Sequence, residues 1–316
     1  MPVGVASVST QLGGADFTIE AYRIRTVGAS FIRISAKWNL IQPASSTSFN
    51  WTTLDAAVSA ARASGLSVLM NIEGPAPVWA QKPGADPGAN GNAPANPANF
   101  GGLAQQLAKR YSARVAAWEI WNEPNLSHYL LPPTAQEYVP LLRAAYSALR
   151  SAGANQPVIT GGLSSSRDNT RDTVFIADMY ALGAKNYFDG IGVHPYTMPY
   201  PITADSRGGG DGGGAAVLSS TRSTMLANGD GNKGVWITEY GQPTGSTPAS
   251  SSEATQSDII VDAITRANGL AWIAAFVIFN SQDLLPDRSN QEANFGLYRY
   301  DGSPKPVVGA LQGLLS

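Results

Sequence analysis

Eight short apolar runs alternate with eight longer stretches of helical period along a chain of 316 residues, and no linker breaks the alternation. That pattern predicts an α/β fold, a single-domain (β/α)8 TIM barrel spanning residues 1–316. Most of the runs are continuous in β-branched or aromatic residues, as parallel strands covered on both faces require. Length and composition agree, because 316 residues with 43% hydrophobic content can bury one large core. A doubly wound open sheet is the alternative that the same alternation allows.

In chain order the strand-like runs are 3–7, 31–35, 67–72, 115–121, 157–161, 190–194, 234–238 and 274–279. The helical stretches between them are 16–27, 51–64, 96–112, 135–152, 170–182, 215–228, 252–268 and 304–315. Asp16 stands where an N-cap belongs, and Gly28, Gly65, Gly153, Gly183, Gly229 and Gly269 stand just past helix ends, where a left-handed residue closes a helix. Two Pro/Gly-rich stretches, 82–97 after the third run and 197–214 after the sixth, would emerge at the C-terminal face of a barrel, where long loops build active sites. The second holds two glycine triplets, which suit either a lid or a passive insertion. It is no phosphate cradle, since no GK[ST] follows.

Composition excludes several classes of function. A net charge of −2 with 14% charged residues offers no basic field for nucleic acid and no basic amphipathic helix for a membrane surface. Cysteine is absent and only His128 and His194 are present, so no cofactor is expected and no histidine-rich metal site can be built. No apolar segment approaches membrane-spanning length. Met1-Pro2 leads at once into the first run without a signal peptide, and the wealth of Gly, Ser, Asn and Ala with few Lys suits a mature secreted protein. A cytoplasmic location fits the same composition. A neutral ligand is the partner these facts favour.

Two glutamates stand in matching settings, Trp121-Asn122-Glu123-Pro124 after the fourth run and Thr238-Glu239-Tyr240-Gly241 after the seventh. A carboxylate at the end of a buried strand is costly without a partner or a task. If the strand count holds, both open onto one rim. There the pair suits acid/base and nucleophilic chemistry on one substrate.

These residues resemble the large clan of retaining glycoside hydrolases with (β/α)8 barrels. In that clan an Asn-Glu after strand 4 supplies the acid/base, which Asn122-Glu123-Pro124 matches, and a glutamate ending strand 7 supplies the nucleophile, which Glu239 matches. Further likeness lies in Phe31-Ile32-Arg33-Ile34 with Trp38, in Gly161-Gly162-Leu163 and in His194-Pro195-Tyr196. The stretch Gly74-Pro75-Ala76-Pro77-Val78-Trp79-Ala80 resembles family 39 of the clan, with family 5 as the near alternative. Many clan members carry a Trp at the end of strand 8, whereas this chain has Phe276, Phe279 and Asn280.

The resemblance implies a carbohydrate substrate and cleavage of a β-type, or stereochemically equivalent, O-glycosidic bond by double displacement, with Glu239 attacking and Glu123 protonating the leaving oxygen. It further implies that Asn122 binds the sugar 2-hydroxyl and that Arg33 lies beneath Glu239. Tyr196 would orient the nucleophile, with His194 in support. Trp38, Trp79, Tyr129, Tyr200 and Phe279 fall where aromatic rings could stack on sugar faces, while Trp118, Trp236 and Trp272 fall in core positions. Glu73 and Glu119, near strand ends, are expected to fix their neighbours by hydrogen bonds. The rival from another class is a carbohydrate-binding protein on the same barrel without catalysis. A metal-dependent barrel hydrolase is a second rival, disfavoured by the two histidines.

Overall fold

The computed structural model describes residues 1–7, 16–165, 171–204 and 213–316. Eight strands form a closed parallel barrel: β1 (Val3–Ala6), β2 (Phe31–Lys37), β3 (Ser67–Glu73), β4 (Ala117–Ile120), β5 (Val158–Thr160), β6 (Gly190–His194), β7 (Gly234–Tyr240) and β8 (Ile273–Ile278). Neighbours in sequence pair in space, and β8 closes on β1 with Val3 opposite Phe276. Between β5 and β6 the direct pairing is the single step Ile159 to Gly190. Leu163–Ser164 then continues it against Val193 and His194. The open-sheet alternative is thereby excluded.

Eight helices wrap the barrel: α1 (Phe17–Thr26), α2 (Thr52–Ala63), α3 (Pro97–Tyr111), α4 (Ala135–Ser151), α5 (Asp172–Ala181), α6 (Gly214–Ala227), α7 (Glu253–Asn268) and α8 (Pro306–Leu315). Asp16 caps α1 as expected, its carboxylate accepting from the amides of Thr18 and Ile19. Gly28, Gly65, Gly153, Gly183 and Gly229 take positive φ after their helices. Gly269 does not: its φ of −74° lies in the right-handed region, and its amide bonds back to the last helical carbonyls without a left-handed residue. The predicted 170–182 helix begins two residues later, at Asp172. The 197–214 loop is described only to Ala204 and from Gly213, so the lid reading falls on residues outside the described ones.

Two layers of core follow from the strand periodicity. Outward-facing residues and the helices' inner faces make a continuous apolar shell that includes Val5, Ile34, Met70, Trp118 and Ile237. Inside the barrel a smaller cluster of Ala6, Phe31, Leu69, Ala117, Ile159, Ala275 and Val277 fills the lower half. Gly4 lies where a Cβ would strike the Phe31 ring, so a glycine is what allows that ring to fill the interior. Trp118 is fully buried as expected, whereas Trp236 and Trp272 are only partly covered. The upper half of the barrel is polar.

Strand lengths decide what reaches the upper rim. β2, β3 and β7 run beyond the sequence expectation, to Lys37, Glu73 and Tyr240. β4 stops early, at Ile120. Trp121 then turns to φ +74° and Glu123 to φ +39°, conformations that cost a non-glycine residue on the order of 1–3 kcal/mol each. Asn71 holds the turn by donating to the Trp121 carbonyl at 2.7 Å, and the Glu123 amide donates to the Gly162 carbonyl at 3.1 Å.

Candidate active site

A cavity of about 470 Å³ opens at the C-terminal end of the barrel, and Arg33, Asn122, Glu123, Tyr196, Glu239 and Phe279 all line it. Strand register places them. Arg33 points inward from β2, Glu239 from β7, and the left-handed turn after β4 swings Asn122 and Glu123 over the barrel mouth. Gly161 and Gly162 are needed opposite that turn. A Cβ at Gly161 would meet the carbonyls of Ile120 and Trp121, and one at Gly162 would collide with the His194 ring and the Thr238 hydroxyl.

Arg33 is the electrostatic hub. Its Nε donates to Glu119 at 2.6 Å, one terminal nitrogen to Glu239 at 2.7 Å and the other to Asn122 at 2.8 Å. Burial works against the guanidinium, but Glu119 and Glu239 outweigh it and hold the proton more firmly than in an exposed arginine. Glu119, fully buried, also accepts from the Gly162 amide at 3.1 Å. It therefore fixes Arg33 and β5 together, the role expected of it.

Each glutamate has its own partners. The Tyr196 hydroxyl donates to Glu239 at 3.0 Å, and burial with the charges of Glu239 and Glu123 pushes its pKa well up, so it remains a donor. His194 is fully buried beneath the cavity floor, with Nδ1 2.9 Å from Glu123 Oε1 and Nε2 3.0 Å from the Thr238 hydroxyl. Burial disfavours the imidazolium, yet the charge of Glu239 and the contact with Glu123 raise its pKa above the ordinary value. One ligand atom each from Glu123, His194 and Glu239 lie within 4.8 Å of one another. Such a set could accept a cation, but a dication there would face the Arg33 guanidinium already paired with Glu239 and an imidazole drawn toward its charged form.

Three aromatic expectations are corrected. Trp38 is fully buried and sits away from the cavity, because the short helical turn Trp38–Ile41 follows β2 directly and tucks the indole against Phe100 at 5.4 Å. Trp79 packs edge-on to Trp38 at 6.0 Å and donates its indole N–H to the Gln42 carbonyl, so it too braces the shell and does not line the cavity. Tyr200 is 52% exposed outside the cavity lining. Phe279, in contrast, faces the cavity where many clan members carry a Trp, and packs on Phe295 at 5.3 Å.

Sequence reasoning missed Lys37 and Glu292, which also line the cavity, and saw no ligand role for Glu73, which does. Glu292 comes from the short turn Gln291–Asn294 in the loop after β8, where no periodicity points to it. Desolvation and the charges of Glu239 and Glu123 raise its pKa. A second recess of about 240 Å³ shares Lys37, Glu73, Asn122, His128 and Tyr129 with the main cavity.

The profile of the cellulases, glycosyl hydrolase family 5, matches residues 2–280. The chain belongs to that family. Family 5 was the near alternative in the sequence, and the architecture is shared with family 39. A family 39 glycoside hydrolase from Bacteroides cellulosilyticus superposes with a TM-score of 0.79 at 22% identity, over 99% of this chain and 63% of that one. A family 5 protein, subfamily 18, from Bifidobacterium longum, solved with Manβ1-4GlcNAc, gives 0.71 at 18% identity over 100% and 78%. A monomeric β-xylosidase from Caulobacter crescentus gives 0.72 at 16% identity over 99% and 67%. The chain thus spans less than two thirds of the family 39 enzyme's length. No curated protein matches it.

Proposed function

We propose that this family 5 member is a retaining glycoside hydrolase that cleaves a β-type, or stereochemically equivalent, O-glycosidic bond. The observation that carries the proposal is the spacing of the carboxylates: one oxygen of Glu123 and one of Glu239 lie within 4.8 Å. Retaining enzymes hold the two carboxyl groups roughly 5–5.5 Å apart, whereas inverting ones need about 6.5–9.5 Å to seat a water between carboxylate and sugar. A spacing this short supports direct attack by Glu239 over attack by an intervening water.

Glu239 is the nucleophile in this mechanism. Arg33 and Tyr196 each donate to one of its oxygens, which aligns the carboxylate and stabilises its charge before attack. Glu123 gives its proton to the departing oxygen as the bond from the anomeric carbon to that oxygen breaks and the bond to Glu239 forms. Once Glu239 is an ester its charge is gone. Glu123, now ionised beside His194, takes a proton from water, whose oxygen displaces Glu239 and restores both groups. Asn122, its carbonyl oxygen held by Arg33, keeps its amide N–H groups free to meet the sugar 2-hydroxyl.

The substrate in this proposal is an oligosaccharide, glycoside or polysaccharide, and an extracellular place of action suits the composition. Incubation with activated 2-deoxy-2-fluoro β-glycosides, followed by peptide mapping, tests the mechanism. A label on Glu239 is expected; a label on Glu123, or none while reducing sugar is still released, would overturn the assignment.

A further inference from the structure

Lys37 and Glu73 are Cα partners at the ends of β2 and β3, so they leave the barrel rim side by side. Both line the main cavity and the recess next to it. Glu73 is only 8% exposed, and a carboxylate that buried is ordinarily ion-paired. Yet neither Glu73 nor Lys37 forms a salt bridge among the described residues. Burial raises the pKa of Glu73, and the charges of Lys37 and Arg33 oppose it. Double displacement uses neither residue.

The group that fits between an acceptor-only carboxylate and a donor-only ammonium both donates and accepts. A sugar hydroxyl does so, and two adjacent hydroxyls can satisfy both side chains at once. We propose that Glu73 and Lys37 are specificity-determining residues that read a pair of adjacent free hydroxyls on the bound sugar. The inference rests on the glycosidase reading, and it makes the substrate a neutral pyranoside unsubstituted at that diol. Uronic acids are disfavoured. The cavity presents Glu73, Glu239 and Glu292 against Arg33 and Lys37, and Arg33 is already engaged by Glu119 and Glu239. A sugar carboxylate would enter surroundings of its own sign.

The test measures kcat/KM of the wild-type protein, Glu73→Leu and Lys37→Met on 4-nitrophenyl β-D-glucoside, β-D-xyloside and β-D-galactoside, and on their monodeoxy congeners. Each variant should lose about 10- to 100-fold on the parent sugar, the worth of a charge-assisted hydrogen bond, with KM rising more than kcat falls. One deoxy congener should show a similar loss on the wild type but under about 3-fold on Glu73→Leu, because the acceptor is already gone. Equal deoxy penalties in both proteins, or 4-nitrophenyl β-D-glucuronide cleaved as fast as the glucoside, would overturn the proposal. Titration calorimetry with the same sugars reads the hydroxyl dependence without turnover, so a failure of the catalytic assignment leaves this outcome legible. Unchanged thermal unfolding of Lys37→Met guards against a folding artefact.

Discussion

Replacing Arg33 by Met separates what holds the site together from what makes it react. Arg33 donates three hydrogen bonds of 2.6–2.8 Å inside the barrel, two of them to carboxylates that are 0% and 8% exposed. Breaking one buried ion pair by removing a partner costs about 3–5 kcal/mol, because the remaining charge is left uncompensated. Glu119 bears most of that penalty, since Glu239 keeps Tyr196 and some access to water. At about 2 °C per kcal/mol for a domain this large, Arg33→Met should unfold about 6–10 °C below the wild type. Activity should fall about 1000-fold, from loss of an electrostatic support of the kind measured at oxyanion holes. The double variant Arg33→Met/Glu119→Gln removes the stranded charge while keeping an acceptor for the Gly162 amide. It should regain at least half of the lost stability and almost none of the activity, because Glu239 still lacks its cation. Scanning calorimetry and initial rates on an activated aryl glycoside read the two quantities. If Arg33→Met unfolds within about 2 °C of the wild type, or if the double variant recovers rate along with stability, the hub is misassigned.

Three further outcomes follow from the same geometry. Glu123→Ala should slow hydrolysis of poor leaving groups by about 100-fold or more while sparing intermediate formation from activated aryl glycosides, and azide should restore turnover with a glycosyl azide of retained configuration; equal damage to both substrate types without rescue would refute the acid/base role. Gly162→Ala pushes a methyl into His194 and Thr238, so overpacking should cost about 1–3 kcal/mol in chemical denaturation and lower kcat by a larger factor than that loss explains; full activity would show that the His194 contact does not matter. Burial raises the pKa of Glu73, so its contribution to stability is present below the ordinary carboxylate pKa and is lost as pH rises through the raised folded-state value. The melting temperature of Glu73→Gln relative to wild type should therefore be higher at pH 8 than at pH 4, and a difference independent of pH would contradict the sign.

The sequence alone determined the strand–helix alternation and the two carboxylates, because both are written in local signals, while closure into a barrel was decided by β8 pairing with β1. Continuous β-branched runs bounded by turn residues read as strands buried on both faces, and alternation with helical stretches leaves few topologies. The caps were legible for the same reason: Asp16 acts on amides two and three residues away. What lay beyond reach depends on register between distant strands. Trp38 and Trp79 carry the same indole that would stack on a sugar, and only the turn after β2 shows that they face the helical shell. Gly269 looked like its counterparts after the other helices, but its amide found partners without the left-handed turn. Lys37 and Glu73 became cavity residues because β2 and β3 run in register past the expected ends, and Glu292 because the loop after β8 folds back over the rim. Periodicity records which face of its own element a residue occupies. Which cavity that face then meets is set by pairings across the barrel, such as the 206 residues that separate Arg33 from Glu239, and only the tertiary structure decided those.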